Sequence, residues 1–180
     1  MKKNAFLLLS SAAVIALVSI ISCSKDNSAA SGGNSTLQVR LTDGPTNLDE
    51  VNVDIKEVNV KFNDDTSSTA GWISMPTHAG IYNLLGLQNG VDTLLATATV
   101  PKNTVKEIRF VLGSNNSIKD TFGVVYPLTI PSGSESGLKI KVSKALTDSL
   151  ETLIIDFDAA LSISKTGNGD YKLKPVLKIK

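Results

Sequence analysis

The chain has 180 residues, with 18 Lys plus Arg against 17 Asp plus Glu, and its formal charge is +1. Setting aside Lys2 and Lys3, which lie in a segment that reads as cleaved, leaves 16 against 17, a balance of −1. That balance excludes the basic stripe that nucleic-acid binding needs, and a single His and a single Cys exclude a Cys/His zinc site and an internal disulfide.

In chain order, the first element is an export signal. Lys2 and Lys3 precede an apolar run, Ala5 to Ile21, that carries no charge. It has the length of a secretory core and falls short of the roughly 20 apolar residues of a spanning helix. The run ends Ile20-Ile21-Ser22-Cys23, which resembles the lipobox of bacterial lipoproteins. That resemblance implies residues 1–22 as the signal peptide and Cys23 as the lipidation site, a diacylglyceryl cysteine further acylated with palmitate-type chains. Two or more acyl chains anchor stably where one holds weakly. Residues 23–35 contain no large apolar side chain and read as a flexible polar tether. Ser24 differs from the Asp that retains lipoproteins in the inner membrane, and Ser24-Lys25-Asp26 resembles the export signals of Bacteroidota surface lipoproteins. The location expected is the outer membrane at the cell surface, with its periplasmic face as the alternative.

Residues 36–180 read as one domain made of strands. Leu37, Val39 and Leu41 alternate with polar residues, and Asp43-Gly44-Pro45 turns the chain. Val51, Val53 and Ile55 alternate next. The phase slips at Lys56-Glu57 and resumes with Val58, Val60 and Phe62, which predicts a bulge or a change of sheet. Trp72 to Met75 reads as a short strand and Ile81 to Leu87 as an apolar segment, with Asn89-Gly90 a turn after it. Strand patterns follow at Thr93–Val100, Ile108–Leu112, Val124–Ile130, Leu138–Val142 and Leu153–Phe157. Tyr171, Leu173, Pro175, Leu177 and Ile179 share one phase, with Pro175 marking an edge or a bulge. Only Lys144–Leu150 reads as a helical turn. About nine strands, each with one apolar face, predict an all-β antiparallel sandwich of two covering sheets.

Several segments together resemble an uncharacterised lipoprotein domain family of Bacteroidota. They are Leu41-Thr42-Asp43-Gly44-Pro45 with Val51 to Ile55, Tyr82-Asn83-Leu84-Leu85, Leu87-Gln88-Asn89-Gly90, Pro131-Ser132-Gly133, Ile155-Asp156-Phe157-Asp158-Ala159 and Tyr171 to Pro175. The likeness spans Leu37 to Ile179. It implies an immunoglobulin-like or transthyretin-like sandwich with no assigned activity. Val100-Pro101-Lys102-Asn103-Thr104 departs from the Pro-x-Gly turn of that pattern, and Asn103 is a residue that tolerates a left-handed backbone.

The candidate site residues divide between chemistry and structure. Asp156 and Asp158, two apart on a strand, would share one face about 7 Å apart. They read as an acid/base pair or calcium ligands on one side, and on the other as carboxylates that bond loop amides or pair with Arg40, Arg109 or a lysine, which is preferred. Arg40 and Arg109, the only arginines, read as an anion-binding pair or, preferably, as bridges to Asp43, Asp54, Asp156 or Asp158. Asn63-Asp64-Asp65-Thr66 lacks EF-hand spacing and reads as a solvated loop before it reads as a calcium site. Trp72, Tyr82, Phe122 and Tyr126 are the aromatics outside the alternating core stripes and read as a group that could stack on sugar rings, with Trp72 preferably in the core. His78 has no placed nucleophile. No catalytic, cofactor or metal site is expected. The function expected is a membrane-anchored surface binding or adhesion module for a glycan or protein, with no enzyme activity and no cofactor, and with Phe62, Trp72 and Asn115-Asn116 as contact positions. The alternatives are a periplasmic structural accessory of an outer-membrane complex and a carboxylate-dependent hydrolase.

Overall fold

The computed structural model describes residues 33–62, 71–131 and 137–180. The signal segment with Cys23, most of the tether, the Asn63–Thr66 oxygen cluster and the Ser132-Gly133 turn lie outside the described residues.

Thirteen strands are seen among those residues. They are β1 (Asn34–Thr42), β2 (Glu50–Lys61), β3 (Trp72–Met75), β4 (Gly80–Asn83), β5 (Thr93–Pro101), β6 (Thr104–Leu112), β7 (Ser117–Lys119), β8 (Val125–Thr129), β9 (Leu138–Ala145), β10 (Leu150–Phe157), β11 (Ile163–Lys165), β12 (Tyr171–Leu173) and β13 (Leu177–Ile179). A 3-10 turn, Leu84–Leu87, follows β4, and one short helix, α1 (Ala159–Ser162), follows β10. Two sheets form the expected sandwich. One has the order β13-β10-β1-β5; the other runs β11-β12-β8-β7-β2-β6-β9, with β3 and β4 also on β2.

The alternation read from the sequence sets the core. Val39 and Leu41 of β1 pair in register with Leu153 and Ile155 of β10, and these four are buried together with Leu37 and Phe157. Val51, Val53, Ile55, Val58 and Val60 of β2 bury the inner face of the other sheet beside Ile108 and Phe110. Each such side chain contributes about 1.5–3 kcal/mol when fully removed from water. The phase slip in β2 is a bulge: its register against β6 shifts between Ile55 and Glu57.

β2 is the spine of the larger sheet. Val58 pairs with both Met75 and Phe110, and Asn52 with both Asn83 and Ser117. One flank of β2 is therefore β3 followed by β4, and the other is β6 followed by β7. Each is one path along β2 broken by a four-residue excursion.

Four expectations are corrected. The sheets are mixed and not purely antiparallel, because β1 runs parallel to β10 and β12 parallel to β8. Residues 144–150 form no helical turn: the chain stays extended to Ala145 and then bends, with Glu151 accepting from Thr147 N at 2.9 Å and Asp148 N at 3.2 Å. These bonds hold the Glu151 carboxyl down at about 2, with its bond to Lys144 adding to them and burial opposing. The terminal segment is two strands in different sheets. Pro175 lies at the crossing, where Lys174 N bonds Ser162 O and Val176 N bonds Ser162 Oγ. Asn103 is not left-handed; among the described non-glycine residues only Asn89 has positive φ, at 59° beside Gly90 at 85°, as a tight turn of this kind requires.

Candidate functional site

The two sheets have common poles. At one, Gly33 O accepts from Lys102 N at 2.9 Å and Thr36 N donates to Ser149 O at 2.8 Å. The chain therefore comes in beside the β5–β6 turn and the β9–β10 turn. β1, β6 and β10 all run away from this pole, so the loops 43–49, 84–92, 120–124 and 158–162 gather at the other.

The expected cluster of Arg40, Arg109, Asp156 and Asp158 is not one site. Arg40, on the outer face of β1, pairs through Nε with Asp92. Arg109 lies in the other sheet. Its guanidinium carbon is 4.7 Å from the Trp72 ring centroid, so its partner is an aromatic face and not Asp43, Asp54, Asp156 or Asp158. Asp156 lies 3.6 Å from Lys180 Nζ. Asp158 falls beyond the end of β10, so it does not share a strand face with Asp156. It caps α1, accepting from Leu161 N at 3.0 Å, and pairs with Lys178 Nζ at 2.7 Å. That lysine bond, against partial burial, holds the Asp158 carboxyl below the ordinary range, and Lys178 is raised in return. Both aspartates thus have the lysine or loop-amide partners of the preferred structural reading.

Trp72 is not in the core. It pairs in register with Lys61, opposite to Val60, and so faces outward. Lys61 and Lys139 stand 5.6 Å and 5.9 Å from its ring beside Arg109. Gly137, at φ 84°, lets the backbone lie on this arginine: a Cβ there would meet Arg109 Cγ at 2.7 Å. The core is filled by Phe110, Phe157 and aliphatics instead. Phe62 is half-buried against it.

Of Asn115-Asn116, the second is a fastening, while the side chain of the first is exposed. Asn116 is 3% exposed and bridges the break between β6 and β7. Its Oδ1 accepts from Asp54 N at 2.9 Å and its Nδ2 donates to Gly113 O at 2.7 Å. The buried Asp54 carboxylate accepts from Asn115 N at 3.3 Å and pairs with Lys56 Nζ at 2.9 Å. His78 is an exposed loop residue whose backbone N donates to Leu95 O at 2.7 Å. Among the described residues no three His, Cys, Asp or Glu side chains come together as a metal-holding group.

What the alternation did not expose is the set of loops at the far pole. Phe122 is 89% exposed at the tip of the β7–β8 hairpin, and Val124 and Val125 beside it are also exposed. The tip is held rigid: Asp120 Oδ1 accepts from Phe122 N and Val124 N, both at 2.9 Å, and Gly123 takes φ 81°. Val91, after the Asn89-Gly90 turn, and Leu161, on α1, are exposed at the same pole. Thr42 Oγ1 ties the Val91 loop down by sharing its hydrogen between Leu87 O at 2.9 Å and Val91 O at 2.8 Å. Asp43 ties α1 down, its Oδ1 accepting from Ala159 N at 2.9 Å, and burial pushes its carboxyl above the ordinary range. The one signal in the sequence was a large apolar residue, Phe122, beside the glycine of a turn that would otherwise be polar.

The described residues thus form a two-sheet sandwich with exposed apolar side chains on tied-down loops at one pole. The chain belongs to the family described as domain of unknown function (DUF4382), which matches residues 34–175. No curated protein and no solved structure matches it.

Proposed function

We propose that this chain is a lipid-anchored envelope protein whose sandwich works as a surface binding or adhesion module and not as a catalyst. The observation that carries the reading is the placement of Phe122, Val91 and Leu161 on tied-down loops at the pole opposite the N-terminal lead-in. A tether ending at that lead-in presents these loops outward. The lipobox-like Ile20-Ile21-Ser22-Cys23 and the polar stretch after it supply the anchor, as in the lipoproteins of Bacteroidota that the chain resembles. Large apolar side chains exposed on loops at one pole are the kind of surface that marks a contact site.

Metabolic labelling with an alkyne fatty acid tests the anchor in the full chain. The native protein takes the label and fractionates with membranes; Cys23→Ser loses both. A Cys23→Ser chain that still carries label refutes the anchor. Protease added to intact cells tests the leaflet, and digestion only after lysis would place the domain on the periplasmic side as a structural accessory.

A further inference from the structure

The outer face of the larger sheet carries an arginine that takes an aromatic ring in place of a carboxylate. β2 lies between β3 and β6, so Trp72 of β3 and Arg109 of β6 meet over it, at 4.7 Å from guanidinium carbon to ring centroid. Asn59 is the residue of β2 directly opposite Arg109, and it shares the face of Lys61, away from Val58 and Val60. Side chains paired in this way stand about 5 Å apart at Cβ. Asn59 is 2% exposed. Its Nδ2 and the Nε of Arg109 are both buried, and neither donates a hydrogen bond. Among the described residues Arg109 has no ion pair, and the Trp72 ring is the partner it does have. Two adjacent buried donors without an acceptor are rare in a folded protein and ask for an explanation.

The group that completes this pair is an acceptor. Lys61 and Lys139, 5.6 Å and 5.9 Å from the same ring, are donors as well. Each has interactions of its own, so the site rests on Arg109 and Asn59. A water here would turn its own hydrogens mostly toward donors, whereas a carboxylate, sulfate or phosphate only accepts. The charge agrees: among the described residues Arg109, Lys61, Lys139 and Lys141 outnumber the carboxylates of that face, Glu57 and Glu107. Stacking on Trp72 fixes the guanidinium plane, and Gly137 brings the backbone against the arginine's stem. A planar fork held in place suits two-pronged recognition of an oxyanion. Arg109 is half-buried and Lys139 exposed, so this part of the face is open to solvent.

We infer that Arg109 and Asn59 form a binding site for an oxyanion, a carboxylate, sulfate or phosphate group, on the outer face of the larger sheet. The site stands apart from the far-pole loops and asks nothing of the anchor, so its failure leaves the reading above untouched.

Trp72 is the only tryptophan in the chain, so its fluorescence in the full-length protein in nonionic detergent reports on this site alone. Titration with galacturonate, sulfate and phosphate, against chloride at matched ionic strength, should give a saturable change with an oxyanion and none with chloride. Arg109→Gln should weaken the binding about tenfold or more. Arg109→Lys, which keeps the charge and loses the fork, should weaken it too. Asn59→Asp gives Arg109 a carboxylate of the chain's own and should abolish binding with the arginine still in place. Circular dichroism checks the fold of each variant, and Arg109→Lys and Asn59→Asp carry the test if Arg109→Gln does not fold. Polygalacturonate separates the sources: tighter binding per uronate than the monomer assigns the site to an acidic polysaccharide, and equal binding assigns it to a free small anion. No saturable change, a change that chloride matches, or affinities that stay within about threefold of the native chain in the folded variants would overturn the inference.

Discussion

Replacing Asn116 by Ala removes the side chain that closes the gap between β6 and β7. Two bonds go: Asp54 N loses its acceptor at 2.9 Å, and Gly113 O loses its donor at 2.7 Å. The site is buried, and Asn116 itself is 3% exposed. A buried polar group left unpaired costs about 1–3 kcal/mol, so the two together cost about 3 kcal/mol. For a domain of this size, 1 kcal/mol shifts the melting temperature by about 2–4 °C, which puts the expected loss at about 6–12 °C. Thermal unfolding followed by far-UV circular dichroism reads it. Asn115→Ala is the control, because only the backbone N of Asn115 enters the network and its side chain is exposed. If Asn116→Ala melts within 2 °C of Asn115→Ala, the fastening described for this loop is wrong.

Two further outcomes are expected. Glu151 is held at about 2 against an ordinary 4.5, so its contribution is present above pH 4.5 and is lost as pH falls toward 2; urea midpoints of the native chain and Glu151→Gln should differ at pH 7 and converge by pH 2–3, and a gap that widens in acid would contradict the assignment. A Cβ on Gly113 would lie 2.1 Å from Asp54 Oδ2, whereas one on Gly86 meets nothing within 4 Å; Gly113→Ala should therefore lower the melting temperature clearly and Gly86→Ala little, with equal effects counting against the close approach.

The sandwich was legible because its strands keep one apolar face. Leu37-Val39-Leu41 and the slipped pair of runs in β2 could be read directly, down to the bulge at Lys56-Glu57. Side-chain period says which face a residue takes but not which strand lies next to it. The parallel neighbours of β1 and β12 were for that reason hidden, as was the division of the Tyr171–Ile179 pattern between two sheets at Pro175. The same limit governed the charged residues. Arg40 and Arg109, as the only arginines, read as partners for the aspartates, yet they lie in different sheets and take Asp92 and Trp72. Asp156 and Asp158 were two apart, but helix capping by Asp158 broke the strand geometry that a shared face needs. The far-pole loops carry no periodicity, so the sequence marked Phe122 only as an aromatic outside the alternating stripes, and its place at the tip of a turn came from the structure.

The pairing of β1 with β10 has a consequence for how the molecule folds. Asp43, just past β1, and Ala159, just past β10, are 116 residues apart, and they are joined by a buried bond. β1 cannot close its small sheet until β10 joins it, and contacts that span so much chain make for slow folding. Until then Leu37, Val39 and Leu41 have no neighbour on that side, so the unfolded chain is aggregation-prone at β1.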